Sequence, residues 1–116
     1  NSIINLINKH VTTDYVYITI DKDVLTTNNQ ITNWDQGKME LSTLIELLKI
    51  LINNKKVVGI DILGDYSTPM YSGFLPIKLY KKFEILMDQP KITDNISSIA
   101  KFNEQTNLQL LKIIQN

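Results

Sequence analysis

The sequence predicts an α/β fold: a parallel-sheet βαβ unit with flanking helices. Three observations carry that prediction. Two runs, residues 14–20 (DYVYITI) and 56–63 (KVVGIDIL), are β-branched or apolar and bounded by polar residues, the pattern of buried strands. Between them, Leu44, Ile45, Leu47, Leu48, Leu51 and Ile52 recur at helical spacing. Two strands bridged by a helix make a parallel pair with a right-handed crossover.

The elements follow in order. Residues 2–9 (SIINLINK) set Ile3, Ile4, Leu6 and Ile7 at helical spacing behind Ser2 as an N-cap, like the tail of a helix that starts earlier. The first strand ends in Asp21-Lys22-Asp23. Residues 26–37 (TTNNQITNWDQG) are polar and turn-rich, a long loop of the kind that carries function inside compact domains. Ser42 is placed to cap the bridging helix, and Asn53-Asn54 to end it. Residues 64–73 (GDYSTPMYSG) form a second loop after the second strand. Pro76 opens a helix that Gln89-Pro90 breaks. Residues 93–114 make a long last helix, with Ile96, Ile99, Asn103, Thr106, Leu110 and Ile113 on one face. Asn103 and Asn107 on or beside that face are unexplained by burial. Two strands do not cover four helices, so either further strands lie outside the chain, the favoured expectation, or the pattern hides a strand within it. Opening at Asn1 rather than Met agrees with a piece of something longer.

Composition narrows the chemistry. The 116 residues predict one domain over 1–116, and 43% hydrophobic content supports a core. Twelve cationic and twelve acidic side chains cancel, which argues against nucleic acid as a partner. Every cation is lysine, so bidentate arginine clamps are absent. There is no cysteine, and a single histidine, His10. Thiolate sites, disulfides and multi-histidine metal sites built from this chain alone are thereby excluded. No apolar run approaches membrane-helix length, so no membrane partner and a cytoplasmic setting are expected.

The acidic strand ends carry the chemistry. Asp21 and Asp23 fall at the carboxyl edge of the first strand, where open parallel sheets build their sites. Their i, i+2 spacing directs both carboxylates to one face. Converging carboxylates repel, and a hard cation such as Mg, Mn or Ca relieves the repulsion. Solvated loop acids are the plain alternative. Asp61 lies within the second strand and needs a metal, a helix N-terminus or a lysine if buried. Trp34, Tyr66 and Tyr71 lie in loops bordering this edge, as pocket walls or as packing. Lys78, Lys81 and Lys82 make a basic turn of the kind that faces solvent.

Residues 16–25 (VYITIDKDVL) resemble the Ser-x-Asp-x-Asp metal-binding segment of the ureohydrolase superfamily, the arginases and agmatinases. Residues 57–62 (VVGIDI) are similar to that family's next strand, residues 32–37 (TNWDQG) to its Thr- and Gly-bearing loop, and residues 103–111 (NEQTNLQLL) to its last helix. The resemblance implies the carboxy-terminal portion of an arginase-like three-layer fold. It implies two Mn ions in the intact parent, with Asp21 and Asp23 as ligands, and Thr32 and Asp35 facing the substrate. The implied reaction is cleavage of a C–N bond in a guanidino or related amide substrate by metal-activated hydroxide. The implied partners are a small-molecule substrate and either a second copy or the missing amino-terminal portion, which would hold the other ligands. This chain alone is therefore expected not to turn over substrate. Three positions depart from the family pattern. Thr19 replaces its serine, Thr26-Thr27 stand where Asp-Pro is frequent, and Gly64, followed by Asp65, occupies the place of a guanidinium-holding glutamate.

Two other readings stand beside this one. Residues 18–25 (ITIDKDVL) also resemble the first motif of haloacid-dehalogenase-type phosphatases. There Asp21 would be the nucleophile, Asp23 the general acid and Mg the cofactor. Val24 replaces that family's glycine, and the acidic segments lie too close in the chain for its intervening strands. A non-catalytic α/β binding module, pairing through open sheet edges, is the third reading.

Overall fold

The computed structural model describes residues 2–66, 75–88 and 95–115. The elements are α1 (Ser2–His10), β1 (Tyr15–Asp21), a 3-10 turn (Lys22–Val24), α2 (Leu41–Asn54), β2 (Lys56–Leu63), α3 (Leu75–Asp88) and α4 (Ile96–Ile114). The α/β class and the parallel βαβ unit are therefore present: β1 and β2 pair in parallel and α2 is the crossover. Among the described residues the sheet has these two strands.

One face of the sheet makes the core. Ile18 and Ile20 point inward, with Leu25, Leu41, Leu48 and Leu110 buried against them. Leu44, Ile45 and Leu51 of α2, and Ile113 of α4, close the cluster. The β-branched and aromatic residues of β1 suit a pleated, half-buried surface, and its alternation is clean. Ile18 and Ile20 are buried, whereas Tyr15, Tyr17, Thr19 and Asp21 face out. Lys55 ties the entry to β1 by donating to the carbonyls of Val11 and Thr13, at 2.8 and 3.1 Å.

β2 corrects one expectation. Its near-continuous apolar run suggested burial on both faces, with Asp61 inside. Asp61 is exposed. The register shifts between Val16 and Tyr17, so that Val16 pairs with Val57 but Tyr17 pairs with Gly59. This bulge reverses the alternation: Val57 faces the core before it, and Ile60 and Ile62 face the core after it. Val58, Asp61 and Leu63 are left on the outer face. Gly59 sits at the phase change, where the Tyr17 ring lies against its backbone in the place a Cβ would take.

The helix ends also differ in detail. The N-cap of α2 is Glu40, which makes no side-chain cap bond, and Ser42 lies inside the first turn. The orphan amide of Leu41 is met instead by Asn29 Oδ1, at 3.1 Å, from the preceding loop. α4 starts later than residue 93, with Asn95 as its cap accepting from the Ser97 amide at 3.0 Å. Pro76 falls in the first turn of α3 as expected. Tyr71 lies outside the described residues, as do the side chains of Lys78 and Lys81; Lys82 is exposed. No described helix is long and apolar enough to cross a membrane.

Candidate metal edge at the end of the first strand

The inward phase of β1 does not stop at Ile20. Two residues on, Lys22 continues it and is wholly buried, at 0% exposure. Asp21, on the outward phase, remains exposed. The chain then tightens into the 3-10 turn, and Asp21 Oδ1 accepts from the Asp23 amide at 3.1 Å.

Gly64, just beyond the end of β2, packs against this turn. Its φ is +83°, in the left-handed region that glycine occupies without penalty. A Cβ on Gly64 would stand 2.7 Å from Asp21 Oδ1, 2.8 Å from Asp23 Oδ1 and 2.9 Å from the Asp23 amide nitrogen. The structure thus brings the two carboxylates close together beside Gly64, where any side chain would crowd both. Asp23 Oδ1 is buried and has no hydrogen-bond partner. A buried anionic oxygen without a donor is destabilising. Carboxylate oxygens placed in this way are the kind of donor that hard divalent cations take. Two carboxylates are only part of a coordination sphere, and among the described residues no three His, Cys, Asp or Glu side chains form a metal-holding group.

Behind the carboxylates lies a polar network. Lys22 Nζ pairs with the Asp65 carboxylate and donates to Asn107 Oδ1 at 2.6 Å. Gln30 Nε2 donates to the Gly64 carbonyl at 2.9 Å and more weakly to Asp65 Oδ1 at 3.5 Å. Asn107 Nδ2 reaches Asp65 Oδ2 at 3.4 Å. Partial burial pushes the Asp65 carboxyl up, but the hydrogen bond and charge of Lys22, helped by Asn107 and Gln30, outweigh it. The carboxyl ends below its ordinary range. On the outer face of the sheet, a hydrogen bond to Asp61 raises the Tyr17 phenol, with burial and the Asp61 charge adding to it.

The loop from 25 to 40 is tied down at both ends and in the middle. Leu25 and Met39 form a parallel bridge, and the Gly37 amide donates to the Asp23 carbonyl at 2.7 Å. Gly37 lies so close to Val24 that any Cβ would run into its backbone. From α4, Asn103 Oδ1 accepts from the Ile31 amide at 3.0 Å while its Nδ2 donates to the Ile31 carbonyl at 2.8 Å. The Thr106 hydroxyl donates to the Asn29 carbonyl. These contacts account for the polar residues on and beside the apolar face of α4: Asn103 and Thr106 hold the loop, and Asn107 holds Lys22.

Thr32 and Asp35 are placed differently from each other. Thr32 is buried, at 1% exposure, and its Oγ1 accepts from the Trp34 amide at 3.2 Å. Asp35 and Trp34 are exposed. Tyr66 is half-buried and lines a cavity of about 170 Å³ with Asp65, Ala100, Asn103, Glu104 and Asn107. Lys22 carries no role in the sequence reading, although a local signal for its burial is present. The signal was the period-2 series Ile18, Ile20, Lys22, which places a lysine where the core expects an apolar residue. Comparison with family models, with curated proteins and with solved structures gave no match.

Proposed function

We propose that Asp21 and Asp23 are cation ligands in a manganese-dependent hydrolase of the arginase and agmatinase type, cleaving a C–N bond of a guanidino or related amide substrate. The observation that supports this reading most is the approach of both carboxylate oxygens to the space beside Gly64, with Asp23 Oδ1 buried and unpartnered. Asp21 is the more open of the two, and the Asp23 amide, donating to its Oδ1, orients it. Asp23 is fixed by the 3-10 turn and by the Gly37 amide on its carbonyl. A divalent cation held there would acidify water for attack on a trigonal carbon. The remaining donors would come from water, substrate or residues beyond those described.

The test is urea or amine release from a panel of guanidino and amide compounds, with added manganese, by the longest native form of the protein. Release that Asp21→Asn and Asp23→Asn abolish supports the reading. Magnesium-dependent phosphate release from a phosphomonoester, with no release of urea or amine, overturns it in favour of phosphatase chemistry.

A further inference from the structure

We infer that Lys22 is a positioning residue for this cation edge: its buried ammonium, held by Asp65 and Asn107, fixes Gly64 against the turn and so sets the separation of the Asp21 and Asp23 carboxylates. The inference rests on the cation reading above.

Three elements meet at one ammonium. Lys22 opens the 3-10 turn that follows β1, Asp65 follows the end of β2, and Asn107 projects from α4. An ammonium has three donors and no acceptor, so it draws oxygen atoms toward itself from each direction. Asp65 is the neighbour of Gly64 in the chain, so anchoring Asp65 anchors Gly64. Gln30, wholly buried, adds a second hold through the Gly64 carbonyl. The position itself argues for a directional role. It continues the inward series of Ile18 and Ile20, where an apolar side chain would fill the space without desolvating a charge. An apolar residue there would leave the Asp65 loop without its anchor. The pair is also asymmetric: the Lys22 side chain is 0% exposed and that of Asp65 56% exposed. The lysine is the fixed post, and the loop end is what it restrains.

The experiment uses the full chain, labelled with ¹⁵N, as wild type, Lys22→Met and Asp65→Asn. Two readouts are taken. One is the nuclear Overhauser contact between the Gly64 Hα and the Asp23 amide, which the wild-type geometry requires. The other is the Mn²⁺ concentration at which the Asp21, Asp23 and Gly64 amide signals broaden. Lys22→Met is expected to keep the α2 and β1 amide shifts and lose the Gly64–Asp23 contact. Its broadening midpoint is expected to rise roughly 10- to 100-fold, as for loss of a residue that orients metal ligands. Asp65→Asn keeps an oxygen acceptor without the charge. It is expected to shift in the same direction by less, and it carries both readouts if Lys22→Met fails to fold. A retained contact with an unchanged midpoint in either folded variant overturns the inference. If wild-type amides at this edge do not respond to Mn²⁺, the cation reading fails. The Overhauser contact then still decides whether Lys22 positions Gly64, and its persistence in the variants overturns that too.

Discussion

Replacing Asn103 by leucine isolates the clasp between α4 and the 25–40 loop. Asn103 is 3% exposed and uses both ends of its amide on one residue, the amide and carbonyl of Ile31. Leucine has a similar volume, so the perturbation removes two hydrogen bonds without opening a large cavity. What it leaves is a stranded backbone N–H and C=O. Each such group is destabilising by about 1–3 kcal/mol when buried. Ile31 is only half-buried, so water recovers part of this, and added apolar contact recovers more. The expected net loss is about 2–3 kcal/mol. In equilibrium urea unfolding, with a slope of about 1–3 kcal/mol per molar for a small domain, the midpoint falls by about 0.7–3 M. Thr106→Val removes one neutral bond to the Asn29 carbonyl and is expected to cost about 1 kcal/mol. Gln109→Ala, on the exposed side of the same helix, stays within about 0.5 kcal/mol. The reasoning is refuted if Asn103→Leu is neutral, or no worse than Thr106→Val.

Gly64→Ala adds a Cβ at a φ of +83° and into the space between two carboxylate oxygens. The backbone alone sets a loss of about 1–2 kcal/mol, and urea unfolding within 0.5 kcal/mol of wild type would contradict it, that being about the scatter of neutral changes. Gly37→Ala drives a methyl into the Val24 backbone; a destabilisation of about 1–3 kcal/mol is expected, together with altered fluorescence of Trp34 in the same loop. Unchanged fluorescence and stability would count against that close approach. Asp65 is held below its ordinary carboxyl range in the folded protein. Its contribution to stability is therefore fully present above the unfolded value of about 4 and is lost as pH falls through the lower folded value. Wild type is expected to lose more stability than Lys22→Met between about pH 5 and pH 2; equal acid slopes would show that the pair does not set the shift.

Much of the scaffold is legible from local pattern. The β-branched run of β1, the helical spacing of α2 and the apolar run of β2 give a parallel unit directly, and Pro76 marks the first turn of α3. β2 misled because its bulge at Val58–Gly59 changes phase midway, so a one-faced strand reads as a two-faced one. The spacing of Asp21 and Asp23 pointed to one edge, but simple strand alternation is not what joins them. Asp23 lies in a 3-10 turn, and the convergence depends on Gly64 arriving from the other strand. Asn103 and Asn107 stood out on an apolar face with no visible reason. Their partners lie 72 and 85 residues away in the chain, and no local pattern names them. Ser42 suited a cap by residue type, yet Asn29 met the helix end from the loop instead.

The cation reading stands or falls on the manganese content of the longest native form, purified without chelator. Wild type would be compared with Asp21→Asn and Asp23→Asn, both folded by circular dichroism. Tightly bound manganese is expected in wild type and a loss in both variants, because the two carboxylates converge beside Gly64. Manganese retained in either variant, or absent from wild type, would contradict the cation reading.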